Sequence, residues 1–168
     1  MNTIADLAWA AGIIDGEGSI FVMKQRRKDR ERDCNYILRV SVESTDPYMT
    51  KELGNIFPDG AEFSQKSDKR ENNSDTRKFQ VNGRKASALL KEVLPFLRVK
   101  TQQAILGISF QETTKKHWKQ MEEKDYLEQE AFYLKLKQAK QDLKIGKPTN
   151  LREESNSAFY NQKDIVCS

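Results

Sequence analysis

Apolar residues recur at two different periods along this chain, and the switching between periods lays out its elements. Ile4, Leu7, Ala11 and Ile14 step by three and four, the spacing of one helical face. Asn2 or Thr3 is placed to cap the N-terminus and Gly16 to stop the last turn, so a short helix is predicted from Thr3 to about Asp15. Ser19–Lys24 (SIFVMK) and Tyr36–Glu43 (YILRVSVE) are rich in β-branched and aromatic residues. They predict two strands, with the polar RRKDRERDCN between them as the loop of a long hairpin. Asp46-Pro47 opens a helix to about Phe57, the aspartate suited to an N-cap and the proline to the first helical position. Pro58-Asp59-Gly60 reads as a turn. Ala61–Gln65 and Arg77–Asn82 predict a second hairpin around SDKRENNSD, and Lys85–Leu94 a third helix carrying Leu89, Leu90 and Val93. The order is α, β, β, α, β, β, α, an α+β arrangement built on antiparallel hairpins.

Beyond this unit the pattern weakens. Thr101–Gln111 predicts another helix with Ile105, Leu106 and Ile108 apolar. Lys115 to about Lys144 is strongly helix-forming, but Trp118, Met121, Tyr126, Phe132, Leu134 and Leu136 hold no single register, which predicts one or two surface helices. Gly146–Ser168 is polar and contains Pro148, the composition of a disordered tail or of a strap that orders on a partner. The expected division is a core over 1–112, a helical extension over 113–145 and a tail over 146–168.

Composition narrows the classes. The 168 residues include 29 Lys plus Arg against 25 Asp plus Glu, a net charge of +4, with 37% hydrophobic residues. Two Trp, five Tyr and eight Phe are enough for a packed core despite 32% charged residues. No apolar stretch approaches the roughly 20 residues of a spanning helix. MNTIADLAWAAG also lacks a basic segment ahead of an apolar one, so the expectation is an intracellular protein with no membrane partner. Cys34, Cys167 and His117 cannot supply four soft ligands, so any metal would be a hard cation held by oxygen. The charge is unevenly spread: KQRRKDRER at 24–32 carries six basic residues, KSDKR at 66–70 and Arg77-Lys78 add more, and EEKDYLEQE at 122–130 is acidic. Basic clusters of this kind suit a polyanion, or are solvated loop tips.

The chemistry concentrates in AAGIIDGEG at 10–18. The helix is expected to end at Asp15-Gly16, leaving the Glu17 carboxylate presented between two glycines just before a strand. Ala8, Ala11 and Gly12 give the same helix a small face on which another backbone can approach closely, with Asp15 adjoining. Spacing alone leaves open an ordinary glycine C-cap beside a solvated glutamate.

AAGIIDGEGSI resembles the signature of the LAGLIDADG homing endonucleases: small residues at Ala11-Gly12, aliphatics at Ile13 and Ile14, and Asp-Gly-acid-Gly closing it. PFLRVKTQQA at 95–104 is similar to the family segment, after the last core helix, that carries a site lysine. The resemblance covers residues 4–112 and implies an αββαββα unit whose four antiparallel strands form a saddle in the major groove of double-stranded DNA. Residue by residue, it makes Glu17 the metal-binding acid, where the family usually has Asp, and the Gly16 carbonyl its backbone companion. Lys100 becomes the site lysine, which spacing alone would leave as a surface lysine at a helix start. Ser44 becomes a polar residue that orients solvent. The implied cofactor is Mg²⁺. One copy of the motif implies a homodimer joined through Ala8, Ala11, Gly12 and Asp15, the last at the dyad or the helix end.

The implied activity is site-specific cleavage of a long, near-palindromic DNA target by metal-dependent hydrolysis, leaving short 3′ overhangs, as in intron-encoded mobile elements of this type. Base and backbone contacts are expected from Met23, Gln25 and Arg27 on the first strand and Arg39 and Ser41 on the second. Lys66, Arg77, Lys78 and Gln80 are the candidates from the second hairpin. Which strand parity faces DNA is left open. A non-cleaving binder on the same scaffold, such as an RNA-splicing maturase or a DNA-binding regulator, is the alternative, with a generic α+β interaction protein as a third reading.

Overall fold

The computed structural model describes residues 2–26, 34–65, 75–114 and 121–145. Arg27, Lys66 and the expected tail at 146–168 lie outside the described residues. The elements run α1 (Ile4–Glu17), β1 (Gly18–Arg26), β2 (Cys34–Ser44), α2 (Pro47–Ile56), β3 (Ala61–Gln65), β4 (Thr76–Asn82) and α3 (Gly83–Val93), followed by a 3₁₀ turn at Leu94–Phe96, α4 (Thr101–Thr113) and α5 (Glu123–Lys144).

Local chemistry accounts for the helix starts. Thr3 and Asp6 form a capping box on α1: the Thr3 hydroxyl accepts from Asp6 N at 3.2 Å and the Asp6 carboxylate accepts from Thr3 N at 2.8 Å. Asp46 caps α2 by accepting from Tyr48 N at 2.9 Å, with Pro47 in the first turn. α1 runs two residues past its expected stop, through Glu17. Gly16 keeps a negative φ, and open space surrounds the position of a Cβ, so nothing there breaks the helix. The glycine that matters is Gly18. Its N–H caps the Ile13 and Ile14 carbonyls, and a Cβ on it would stand 2.6 Å from the Ile14 carbonyl oxygen.

The four strands form one antiparallel sheet in the order β1-β2-β4-β3. Alternation divides it cleanly. Ile20, Val22, Leu38, Val40, Val42, Phe79 and Val81, none more than 3% exposed, face the helices. Ala10, Ala11 and Ile14 of α1, Leu53 of α2, Leu89, Leu90 and Val93 of α3, and Ala104 and Phe110 of α4 complete that core. Gly107 lets α4 close onto the sheet, since a Cβ there would meet Leu38 at 2.9 Å and Leu90 at 3.2 Å.

α5 is a single helix over its described length, and it runs antiparallel to edge strand β1: Glu130 pairs with Lys24 at 2.8 Å and ten residues later Lys140 bonds Ser19 at 2.7 Å. Its apolar register is blurred because Gln129 occupies a buried position while Leu127 and Leu134 stay exposed. No described helix is long and apolar enough to cross a membrane.

Because the Gly18 contact is with backbone, Gly18→Ala forces the α1–β1 junction to shift. It should cost about 1–3 kcal/mol of unfolding free energy, as overpacking does, measured by urea denaturation. An unchanged midpoint would show that the junction relaxes freely.

Candidate functional site

The end of α1 and the start of α4 cap one another. Asp15 turns its carboxylate onto the three amides that precede α4, accepting from Arg98 N at 2.7 Å, Val99 N at 3.1 Å and Lys100 N at 2.9 Å. These are N–H groups with no intrahelical acceptor, and the negative charge sits where the helix dipole favours it. Lys100 returns the interaction: its Nζ donates to the Asp15 carbonyl at 2.5 Å, in the last turn of α1, and at 2.8 Å to the Ile14 carbonyl, which also accepts from Gly18 N–H. Sequence reasoning placed Asp15 at the helix end or dyad; the structure gives it this clamp.

Lys100 is partly buried, and burial pushes its pKa below the ordinary lysine value. Asp15 opposes that shift, the Lys140 ammonium adds to it, and Glu17 opposes it more weakly. One small region therefore holds Asp15, Glu17, Lys100 and Lys140. Glu17 is the last residue of α1 and is exposed, as is Gly16 beside it.

Lys140 was not singled out from the sequence. It lies in a helix-forming stretch without a clean register, and only the packing of α5 on β1 brings it here.

The other expected residues divide. Ser44 lies on the helix-facing parity of β2, and its hydroxyl accepts from Asp46 N at 3.0 Å, so it supports the entry to α2. Ala8 and Gly12 are exposed on α1, next to half-open Trp9, with free space where a Gly12 Cβ would be. Ala11 is fully buried in its own subunit's core. Burial separates the two strand parities: Met23, Gln25, Arg39, Ser41, Lys78 and Gln80 share the face away from the helices, Ser41 being itself buried there opposite Gln80. Arg77, next to Lys78, points the opposite way, on the parity of Phe79 and Val81, although it is exposed. Strand alternation forbids Arg77 and Lys78 from sharing a face. On the open face Arg39 Nε donates to Asn82 Oδ1 at 2.9 Å, and its guanidinium lies 6.0 Å from the Phe21 ring centre.

No family model and no curated protein matches the sequence. Solved structures do. The homing endonuclease I-CvuI in complex with its target matches with a TM-score of 0.68 at 21% identity, over 82% of this chain and 85% of that one. The fold is that of the LAGLIDADG homing endonucleases. An archaeal intron-encoded member, I-Vdi141I complexed with DNA, gives 0.66 at 14% identity over 80% and 84%. I-LtrWI, a LAGLIDADG homing endonuclease bound to target DNA, gives 0.59 at 16% identity, and there the match spans 76% of this chain but only 42% of that one.

Replacing Asp15 by Asn keeps the shape but removes the charge and one acceptor. It should cost about 1.5–3 kcal/mol, the range for hydrogen bonds to a charged group, and should speed hydrogen exchange at the Arg98, Val99 and Lys100 amides more than in the sheet. Unchanged protection of those amides would show that the carboxylate is not what holds them.

Proposed function

We propose that this chain is a DNA endonuclease that acts as a homodimer and cuts both strands of a long, near-palindromic target by metal-dependent phosphodiester hydrolysis. The observation that carries the reading is the exposed Glu17 carboxylate, fixed at a clamped helix end beside Lys100, at the margin of an open polar strand face. The solved homing endonucleases of the same fold, several of them in complex with DNA, support it.

The donors fit magnesium only as a shared ion. Among the described residues no three His, Cys, Asp or Glu side chains cluster to hold a metal. Mg²⁺ commonly uses one or two carboxylates and completes its shell with substrate phosphates and water. Glu17 and the Gly16 carbonyl would hold it from this chain, with Glu17 of the partner subunit close by if the two α1 helices pack together. When bound, such an ion activates water and stabilises the leaving oxygen. Glu17 fixes its position, and Lys100 supplies positive charge where the phosphorane gains negative charge. Short 3′ overhangs are the expected product.

Association through α1 follows from its surface: Ala5, Ala8 and Gly12 are exposed and small, so a second helix can approach closely. The match to under half of I-LtrWI, against 85% of I-CvuI, suits a chain that supplies one unit of a two-unit enzyme. The strand face would read DNA through Gln25, Arg39, Lys78 and Gln80, with Met23 available for apolar contact with thymine methyls.

Incubation with a DNA library and Mg²⁺, followed by sequencing of the ends, tests the activity and reveals the target. Glu17→Gln should abolish cleavage while sparing binding to that target, and Lys100→Met should slow cutting without weakening binding. Cleavage at the wild-type rate in Glu17→Gln would remove this carboxylate from the mechanism. In sedimentation, the wild type should run near twice 19.4 kDa and Gly12→Leu as a monomer. A monomeric wild type, with and without DNA, would defeat the assembly.

A further inference from the structure

α5 carries two lysine contacts to β1, and they differ in one respect. At the far end of the strand Lys24 meets a carboxylate, Glu130 at 2.8 Å, and the same carboxylate takes the Tyr36 hydroxyl. At the near end, Lys140 Nζ donates to the Ser19 hydroxyl oxygen at 2.7 Å and lies 5.3 Å from the centre of the Phe21 ring. Among the described residues no carboxylate stands within ion-pair distance of it. Burial and the Lys144 ammonium hold its pKa below the ordinary lysine value, and Lys140 in turn repels Lys100. A partly buried ammonium with a hydroxyl, a ring face and like charges for company is incompletely compensated. Ser19 and Phe21 belong to the open parity of β1, and Ser19 is two residues from Glu17.

We propose that Lys140 is a phosphate-contacting residue of the cleavage site: α5 carries a second ammonium to the Glu17 end of the open face, where a phosphate of bound duplex DNA completes its coordination. The inference rests on the nuclease reading for the identity of the anion. A phosphate there would accept from Lys140 while Ser19 and Phe21 fix the direction of the ammonium, and it would relieve the repulsion between Lys140 and Lys100. The C-terminal helix, outside the αββαββα unit, then contributes directly to the site.

The test uses the full chain. Binding to a random-sequence duplex in Ca²⁺ is measured against salt for wild type, Lys140→Met, Lys140→Arg and Lys91→Met, the last removing a lysine paired with Glu112 in the helical layer. Methionine keeps an unbranched side chain beside Phe21 and removes the charge together with the bond to Ser19. The slope of log K against log salt should become shallower by about one per subunit in Lys140→Met. It should return to wild type in Lys140→Arg and stay at wild type in Lys91→Met. With the target found by end-sequencing, single-turnover cleavage in Mg²⁺ should fall roughly tenfold or more in Lys140→Met. A wild-type slope in Lys140→Met, or one that Lys140→Arg fails to restore, overturns the assignment. A wild type that binds duplex but never cuts defeats the nuclease reading alone, because the slopes still decide the phosphate contact. A wild type that binds no duplex defeats both.

Discussion

Everything at the candidate site depends on two helix ends that satisfy each other. An α-helix leaves its first amides and last carbonyls without partners. Here Asp15 covers the N-cap amide of Lys100 and the two amides before it, while Lys100 covers the Asp15 carbonyl and shares that of Ile14 with Gly18 N–H. Each helix thus supplies the charged group that the other lacks, with the sign the two dipoles favour. The pairing spans 85 residues of sequence, so it ties the start of the unit to the segment that follows its last core helix. Glu17 inherits its position from this clamp, since it follows Asp15 by two residues and is itself exposed. Fastening the two residues before Gly16 presents this carboxylate to solvent without leaving it loose.

The sheet solves a related problem by separating its faces. One parity is almost wholly aliphatic and buried beneath four helices, with Gly107 bringing α4 into direct contact with Leu38 and Leu90. The opposite parity carries Ser19, Phe21, Met23, Gln25, Arg39, Ser41, Lys78 and Gln80, and among the described residues only the Lys140 side chain of α5 reaches over its margin. Rigidity comes from the first face, and the second is free to differ in chemistry without disturbing the core.

Much of this was legible in the sequence, for identifiable reasons. Period-two and period-3.6 patterns are local, so β3 at Ala61–Gln65 and the Asp46 cap of α2 could be read directly. The end of α1 was misplaced by two residues because either glycine could have stopped it, and only the approach of the Ile14 carbonyl shows that Gly18 is the required one. The open parity needed the helices to be in place. Adjacent basic residues such as Arg77 and Lys78 look equivalent in a composition but cannot share a face. Glu17 and Lys100 were named through resemblance, and the structure brings them into one region; Ser44 was named in the same way, and its hydroxyl accepts from Asp46 N. Lys140 was invisible because a half-buried helix with Gln129 inside and Leu134 outside gives no pattern from which its orientation could be inferred.

The position of α5 also bears on how this sheet ends. A nine-residue edge strand such as β1 presents a row of unpaired amides and carbonyls, a template on which a stray strand can add. α5 lies along that strand from Lys24 to Ser19 and blunts it, while the opposite edge, β3, is only five residues long. Growth of the sheet from chain to chain is thereby discouraged at both margins, away from the open-ended strand pairing that leads to fibrils.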